Sequence, residues 1–301
     1  MRVLVTGATG FVGKRLLARL DRPVVLSRDA AKAEKSLAQY KVKAFAWNVQ
    51  AEPPPQAAFD GIDAVIHLAG DPVAEGRWTA AKKARIRDSR IEGTRNLVAT
   101  LAALPVKPQV LVSASAIGYY GDRGEELLDE RSTPGSDFLA EVCLGWEREA
   151  QRAAELGIRV AMVRVGVVLG EKGGALAKML TPFKIGMGSP LGNGRQYMSW
   201  IHIDDLVEEF LFAARESNVH GPLNGTAPGP VTNREFTKAL GKALHRPTFM
   251  PPVPGFVLKT MLGDFSEVLL ASQRVQPEAA QAAGFKFKYS NLEPALREIL
   301  Q

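Results

Sequence analysis

The chain has 301 residues, of which 46% are hydrophobic and 23% are charged, and a single cysteine, Cys143. This composition excludes a disordered chain, and one cysteine excludes an internal disulfide and therefore a disulfide-stapled secreted domain. No stretch is long and apolar enough to span a membrane, and the first residues lead into a strand rather than a signal peptide. We expect a soluble cytoplasmic protein of about two domains, with no membrane partner.

The net charge of +6 is unevenly distributed along the chain. Residues 1–100 carry 17 Lys and Arg against 10 Asp and Glu, whereas the rest of the chain is close to neutral. Many of these cations lie between residues 82 and 95, on a helix-like stretch beside a single aromatic residue, Trp78. A nucleic-acid surface usually interleaves cations with aromatic side chains. We therefore interpret this stretch mainly as a solvated helix face and expect no nucleic-acid partner.

The first half of the chain alternates short apolar runs with helical patterns. Strands are predicted at residues 2–6, 23–26, 42–47, 64–68, 110–113 and 159–165. The clearest helices between them are predicted at residues 78–104 and 138–156. Strands without polar alternation, joined by helices, are typical of a parallel sheet that is covered on both faces. The pattern predicts an α/β fold with a doubly wound parallel Rossmann sheet over residues 1–170.

The pattern changes after about residue 170. Prolines and glycines crowd residues 182–194, which predicts a loop, and further prolines interrupt residues 247–254. Helices are predicted at residues 204–216, 233–244 and 293–300. We expect residues 171–301 to form a smaller, irregular α+β lobe that binds a substrate or partner, with elements near residues 200–230 returning to the first domain.

A glycine-rich turn follows the first predicted strand. Its glycines are spaced to allow a tight turn, a close approach of the backbone to a pyrophosphate, and packing of the next helix on the sheet. The N-terminus of that helix offers free N–H groups to an anion. The predicted dinucleotide contacts are Gly7, Thr9, Gly10, Phe11, Val12 and Gly13.

The second predicted strand is followed by Ser27 and Arg28. A site for NAD usually has Asp or Glu at this point to hold both ribose hydroxyls. Without a carboxylate, a 2′-phosphate is not repelled, and a guanidinium can bind it with paired hydrogen bonds. The sequence therefore favours NADP(H) over NAD(H).

Several motifs resemble those of the extended short-chain dehydrogenase/reductases. These are the glycine-rich turn, His67-Leu68-Ala69-Gly70, Ser113-Ala114-Ser115, Tyr120-Gly121-Asp122 and residues 200–206. Other motifs are similar to an atypical branch of the NAD(P)-dependent epimerase/dehydratase family, whose members are called epimerase family or cell-division-inhibitor-like proteins. They are Arg77-Trp78, Ser89-Arg90, Phe138-Leu139 and Trp146-Glu147. The resemblance implies NADP(H) binding and an unassigned substrate.

The resemblance also implies further cofactor contacts. Arg90 stands where the family usually has an asparagine on the long helix, and Arg85 is about one turn away. The additional residues expected at the cofactor are Asn48 beside the adenine, Leu68, Ala69 and Gly70 beneath the adenosine ribose, and Arg85 and Arg90 on the helix.

The catalytic pair of the superfamily, Tyr-x-x-x-Lys, is missing. Phe138 and Val142 occupy the corresponding frame, and residues 108–171 contain no lysine. Because phenylalanine has no proton to exchange, the usual proton transfer is not available. The candidate catalytic residues are instead Ser115 and Tyr120, and the candidate substrate-binding residues are Arg195, Gln196 and His202.

Two hypotheses remain open from the sequence. In the first, the protein is an NADP(H)-binding oxidoreductase or epimerase-like enzyme for a small polar substrate, with Ser115, Tyr120 or water replacing the missing pair. In the second, it is a catalytically silent NADP(H)-binding sensor. Polar groups converging beside the nicotinamide would favour the enzyme, and an apolar cleft the sensor. The four histidines lack ligand spacing, so we expect no metal, and a homodimer is left open.

Overall fold

A seven-stranded parallel sheet forms the centre of the computed structural model, which describes residues 1–171 and 173–301. The strands of the described residues are, in chain order, β1 (Val3–Thr6), β2 (Val24–Ser27), β3 (Lys43–Ala46), β4 (Ala64–His67), β5 (Val110–Ala116), β6 (Leu127–Leu128), β7 (Arg159–Val165), β8 (Val167–Gly170), β9 (Tyr197–Met198), β10 (Trp200–His202), β11 (Gly221–Gly225), β12 (Val231–Thr232) and β13 (Arg274–Val275). The central sheet has the order β11-β7-β5-β4-β1-β2-β3.

Helices cover both faces of this sheet and build the rest of the molecule. In chain order they are α1 (Phe11–Leu17), α2 (Ala30–Ser36), α3 (Ala80–Ala103), α4 (Phe138–Gln151), α5 (Gly174–Lys184), α6 (Ile203–Arg215), α7 (Asn233–Ala243), α8 (Gly255–Leu262), α9 (Phe265–Leu270), α10 (Glu278–Ala282) and α11 (Leu292–Leu300). None of the helices in the described part of the chain is both long enough and apolar enough to cross a bilayer.

The strand order reverses between β1 and β4, because β2 and β3 extend the sheet in one direction and β4, β5, β7 and β11 extend it in the other. Thr6 at the end of β1 pairs in register with His67 at the end of β4. In open α/β sheets, ligands bind outside the carboxyl ends of the strands at such a reversal. The observed sheet confirms the predicted doubly wound parallel fold.

Successive side chains of the strands point to opposite faces of the sheet and form two apolar layers, one on each face. Val5 and Ile66 point into the layer that contains Leu16 of α1 and Phe210 of α6. Leu4, next to Val5 along β1, points into the opposite layer, with residues of α3 and the end of α4. The strands are therefore covered on both faces, as their continuous apolar sequences predicted.

A third apolar cluster belongs to the second half of the chain. Trp200, Phe236 and Leu240 are buried in it, together with residues of α5 and α11. The loop predicted from residue 182 onwards is wrong at its beginning, because α5 continues through Pro182 to Lys184. Proline near a helix end removes only one backbone hydrogen bond, and packing of the apolar face of α5 offsets that loss.

Segments from the second half of the chain complete the central sheet. Strand β11 pairs with β7 from Gly221 to Gly225. Helix α6 packs beneath the sheet, where its Phe210 and Leu211 are buried. These segments lie in the region of residues 200–230 that we expected to return to the first domain. The division of the chain at residue 170 stays a prediction.

Candidate cofactor site and active-site cleft

The predicted cofactor residues lie along one edge of the central sheet. The glycine-rich turn follows β1, Arg28 follows β2, and Asn48 follows β3. Leu68 follows β4, and Ser115 lies at the carboxyl end of β5. Because all these strands are parallel, their carboxyl ends form a continuous track, which is where dinucleotides bind in this type of sheet.

The glycine-rich turn is too tightly packed for side chains at its first and last glycines. Gly7 has a φ angle of +68°, and a Cβ atom there would lie 2.6 Å from the carbonyl oxygen of Leu68. A Cβ atom on Gly13 would lie 2.5 Å from the carbonyl oxygen of Gly7. Gly10 and Thr9 are exposed at the sheet edge. The turn therefore offers bare backbone to a phosphate group, which fits a dinucleotide.

A buried threonine and histidine hold the next loop against this turn. The Oγ1 atom of Thr6 accepts hydrogen bonds from the amides of Leu68 and Ala69, at 3.1 and 3.0 Å, and lies 2.7 Å from Nδ1 of His67. Burial, followed by the charge of Arg90, lowers the pKa of His67 to about 3. His67 is therefore neutral near pH 7, and residues 68–70 are fixed beside the glycine-rich turn.

The end of β2 presents an exposed guanidinium to solvent. Arg28 is exposed, and the following carboxylate, Asp29, accepts the amide of Lys32 at 2.9 Å as the N-cap of α2. The capping bond directs the Asp29 carboxylate towards the helix amides. Arg28 is therefore exposed beside Ser27 at the end of β2, and its role at a 2′-phosphate stays a prediction.

The two arginines of α3 that were predicted to bind the cofactor lie in different surroundings. Arg90 donates from Nη1 to the carbonyl oxygens of Asp71 and Ile86, at 3.0 and 3.1 Å, and its guanidinium stacks over Trp146 at 5.1 Å. It lines the cleft described below. Arg85 is exposed, with its Nε atom 4.0 Å from Asp71, and does not line that cleft.

The interpretation of α3 as a solvated face is wrong for several of its cations. Lys82 is only 6% exposed and donates from Nζ to Asp71 and to the carbonyl oxygen of Pro72. Lys83 forms an ion pair with Asp264, and Arg95 forms one with Glu149 at 2.8 Å. These carboxylates come from other elements of the fold, so the periodicity of α3 alone could not reveal the pairing.

A cleft of about 710 Å³ opens beside the end of β5. Its walls come from the loop after β4, the first turns of α4, and α9. The ring of Trp78 packs against Phe138 at 5.6 Å and against Phe265 at 5.8 Å. Phe138 and Val142, which replace the missing tyrosine and lysine, both line this cleft.

A second cavity, of about 450 Å³, continues the cleft towards α5. The two cavities share Val73, Gly166 and Val268 in their walls. Met179 and Met198 line only the second cavity. The mainly apolar walls do not match the small polar substrate that we expected from the sequence.

Ser115 is the predicted catalytic residue that the structure places in the cleft. Its Oγ atom donates to Oε1 of Glu147 at 2.7 Å. Arg164 donates to both oxygens of this carboxylate, from Nε at 2.8 Å and from Nη2 at 2.9 Å. All three side chains are buried, so the serine proton is held towards the protein interior. The Glu147–Arg164 pair was not predicted, although an arginine within an otherwise apolar strand was a usable signal.

Tyr120, the other predicted catalytic residue, lies outside the lining of the cleft. Its side chain is fully buried, and its hydroxyl donates to Oδ1 of Asn224 at 2.7 Å and accepts from Nη1 of Arg164 at 2.9 Å. Burial raises its pKa to about 12. The turn after β5 directs the ring towards β7 and β11, so the geometry supports packing rather than proton transfer.

The three predicted substrate-binding residues are not brought together at the cleft. Arg195 is exposed, and Gln196 is buried and donates to the carbonyl oxygens of Leu191 and Leu269, at 3.0 and 3.4 Å. His202 lies in a separate groove beside α1, with Nε2 2.9 Å from Glu298. Their positions are explained by loop and lobe packing, which the sequence could not separate from a substrate role.

Two further observations concern possible metal ligands and the cysteine. Within residues 1–171 and 173–301, no group of three or more His, Cys, Asp and Glu side chains could hold a metal ion. Cys143 is buried in the cleft wall, and burial raises the pKa of its thiol to about 12. A thiol with so high a pKa is a poor nucleophile near neutral pH.

Comparisons with known proteins agree with this geometry. Residues 3–224 match the NAD dependent epimerase/dehydratase family, and residues 253–299 match a domain of unknown function, DUF1731. The chloroplastic epimerase family protein SDR39U1 homolog of Arabidopsis thaliana is 44% identical over 308 residues, which cover 100% of this chain and 87% of the relative. The epimerase family protein YfhF of Bacillus subtilis is 38% identical, with 100% of this chain and 98% of the relative covered.

A solved structure extends the agreement to the whole fold. The crystal structure of human epimerase family protein SDR39U1 (isoform 2) with NADPH superposes with a TM-score of 0.87 and 33% identity. The match covers 100% of this chain and 99% of the human one. These similarities confirm the family resemblance that was inferred from the motifs. The chain belongs to the NAD dependent epimerase/dehydratase family.

Proposed function

We propose that the protein binds NADP(H) along the carboxyl edge of its sheet and is an oxidoreductase or epimerase-like enzyme for a substrate held in the cleft. The observation that carries this proposal is the position of Ser115. It lies where the cofactor track meets the cleft, with a hydroxyl fixed by a buried carboxylate. The human relative crystallised with NADPH supports the choice of cofactor.

The bare backbone of the glycine-rich turn would hold the pyrophosphate, and Ser27 and Arg28 the 2′-phosphate. Asn48, Leu68, Ala69 and Gly70 would border the adenosine, with Arg90 above Gly70. When bound, the nicotinamide supplies a hydride acceptor or donor. The nucleotide and the substrate would therefore meet at the end of β5.

Ser115 would orient the reacting hydroxyl of the substrate. Because its own proton is donated to Glu147, its free lone pairs can accept a hydrogen bond from that hydroxyl. Glu147 and Arg164 act through Ser115 and are positioning residues. The fixed serine gives the site one oriented acceptor in place of the missing tyrosine.

Two measurements test this proposal. Titration calorimetry should show that NADPH binds, and an incubation of NADP⁺ with an alcohol that fits the cleft and is deuterated at its carbinol carbon should transfer the label to C4 of the nicotinamide, with the hydroxyl proton released to water. Ser115→Ala should lower the rate of label transfer while leaving NADPH affinity within about twofold. Absence of NADPH binding would overturn the proposal as a whole.

A catalytically silent NADP(H)-binding sensor is the second candidate. It is favoured by the mainly apolar walls of the cleft, which are the outcome expected of a sensor, and by Phe138 and Val142, which line the cleft at the positions of the catalytic pair. In that case label transfer should appear only after Phe138→Tyr is combined with Val142→Lys. Transfer by the unaltered protein would exclude a silent sensor.

A cytoplasmic location and a homodimer stay predictions.

A further inference from the structure

The cleft and the second cavity form one elongated space with an asymmetric lining. Ser115 lines only the larger cavity, of about 710 Å³, and Met179 and Met198 line only the smaller one, of about 450 Å³. Val268 on α9 borders both. A ligand that occupies the whole space therefore has one end at Ser115 and its body among apolar side chains.

The walls on either side of Ser115 favour an apolar ligand. Trp78 is 9% exposed, and Phe138 and Phe265 pack against its ring. Phe138 thus places an aromatic ring where a catalytic hydroxyl is expected. Flat apolar surfaces of this kind gain free energy by burying hydrocarbon and offer few partners to hydroxyl groups.

The charges around the space disfavour a nucleotide sugar. Among the described lining residues, the carboxylates outnumber the cations. The carboxylates are Glu75, Asp122, Asp137, Asp264 and Glu267, and the cations are Arg90 and Lys178. Lys83 neutralises Asp264, Arg90 lies at the cofactor edge over Gly70, and Lys178 donates to the carbonyl oxygen of Ala74. A diphosphate is usually bound by several arginine or lysine side chains.

Two polar groups at the inner end of the cleft have already used their protons, whereas the buried indole N–H of Trp146, which also lines the cleft, has no hydrogen-bond partner in the described part of the chain. Ser115 donates to Glu147, and Nε2 of Gln273 donates to the carbonyl oxygens of Ile117 and Gly121, at 3.0 and 3.1 Å. Ser115 therefore presents lone pairs to a ligand. A ligand satisfies this acceptor best with a hydroxyl group.

We propose that the cleft binds an uncharged, largely apolar alcohol, with its hydroxyl at Ser115 and its hydrocarbon part extending towards Met179 and Met198. This inference rests on the proposed function, since it names the substrate class of the same site. It excludes a nucleoside diphosphate sugar as the preferred ligand.

Binding to the NADP⁺-saturated protein tests the ligand class. The probes are 1-(2-naphthyl)ethanol, its methyl ether and UDP-glucose. Their binding is followed by calorimetry and by tryptophan fluorescence, to which Trp78 and Trp146 in the cleft wall contribute. The naphthyl alcohol should bind at least about tenfold more tightly than UDP-glucose. The reverse order would overturn the inference. Failure of NADP⁺ to bind would instead count against the proposed function.

Two variants test the position of the ligand. Val268→Asp changes a residue in the wall of both cavities. It should lower the affinity for the naphthyl alcohol at least about tenfold, because the carboxylate must lose water when the ligand binds. The matched control is Val106→Asp, a valine that is 79% exposed, and it should change the affinity less than about twofold. Equal effects of the two variants would overturn the location. NADP⁺ affinity and circular dichroism serve as folding controls.

Ser115→Ala tests the hydroxyl contact. It should lower the affinity for the naphthyl alcohol about fivefold, the value of one hydrogen bond, and leave the affinity for the methyl ether unchanged. Equal losses for both probes would overturn the hydrogen-bond assignment, because the ether has no proton to donate. The comparison isolates one contact in the manner of a double-mutant cycle.

Discussion

Arg28 is the side chain that best distinguishes between the two nicotinamide cofactors. It is exposed at the carboxyl end of β2, and the neighbouring Asp29 is engaged in a helix cap. We expect NADPH to bind at least about tenfold more tightly than NADH, and Arg28→Glu to abolish that preference. Lys107→Glu, at an exposed site before the amino end of β5, is the matched control. Calorimetry that shows equal affinities in the unaltered protein would contradict the assignment.

The Glu147–Arg164 pair makes a second prediction at the scale of single residues. Both side chains are almost fully buried, so removing one partner leaves an uncompensated charge. We expect Glu147→Ala to destabilise the fold by about 3–5 kcal/mol, and Glu147→Met with Arg164→Met to recover much of that loss. Urea denaturation measures both. A double variant no more stable than the single one would show that the charges themselves are required.

At the scale of elements, the turn between β1 and α1 makes a separate prediction. Because a Cβ atom on Gly13 would lie 2.5 Å from the carbonyl oxygen of Gly7, Gly13→Ala must displace the turn. We expect a loss of about 1–3 kcal/mol in stability and at least about tenfold in NADPH affinity. Lys14→Ala, the next and exposed position of α1, should change neither property appreciably. Thermal melts and calorimetry distinguish the two outcomes.

Elements with continuous apolar sequence were predicted well. Strand β7 begins and ends where the sequence predicted, at Arg159 and Val165. Strand β5 was predicted to end at Ser113 but continues to Ala116, so Ser115, which was expected near the strand end, lies within the strand itself. Small residues such as those after Ser113 have little strand propensity. Pairing with β7 stabilises the extended conformation of these residues.

The site was predictable only where local sequence determines it. The glycine-rich turn depends on backbone geometry between neighbouring residues, and its motif was sufficient. The hydrogen bonds of Ser115, by contrast, connect β5, α4 and β7, and those of Tyr120 connect β7 and β11. Such contacts depend on how distant segments pack, so one sequence could name Ser115 and Tyr120 but could not separate their roles.

At the scale of the whole molecule, two buried groups give stability opposing dependences on pH. Burial, then the charge of Arg90, lowers the pKa of His67 to about 3 from 6.5. The unfolded chain therefore binds the extra proton below pH 6.5, and stability falls as the pH falls. Burial, then the charges of Glu130 and Asp205, raises the pKa of Glu209 well above 4.5. Glu209 is then protonated only in the folded state above pH 4.5, and stability falls as the pH rises.

Above pH 4.5 the two dependences oppose each other, until the pH reaches either 6.5 or the folded-state pKa of Glu209. Glu209→Gln should therefore gain stability relative to the unaltered protein as the pH rises above 4.5, by up to about 1.4 kcal/mol for each pH unit below the folded-state pKa of Glu209. His67→Gln should gain stability relative to the unaltered protein as the pH falls below 6.5. Urea denaturation at pH 5, 6 and 7 measures the differences. A difference between Glu209→Gln and the unaltered protein that is independent of pH would contradict the assignment.

The excess of positive charge in residues 1–100 consists of cations that form ion pairs within the fold and cations that stay exposed. Many cations of α3 form ion pairs, two of them with Glu149 and Asp264 from distant segments. Arg28 instead stays exposed at the predicted 2′-phosphate position. A net charge alone therefore did not identify a partner, and the pairing within the fold was needed to interpret it.

The pairing of β11 with β7 has a consequence for synthesis of the chain. Strand β7 is the edge of the sheet until Gly221–Gly225 has left the ribosome, although six of the seven strands are complete by Val165. During that interval its apolar residues, such as Val160 and Val163, border an unpaired backbone. Such an edge readily pairs with another chain. Nascent chains that stall between residues 165 and 221 are therefore the ones most exposed to aggregation.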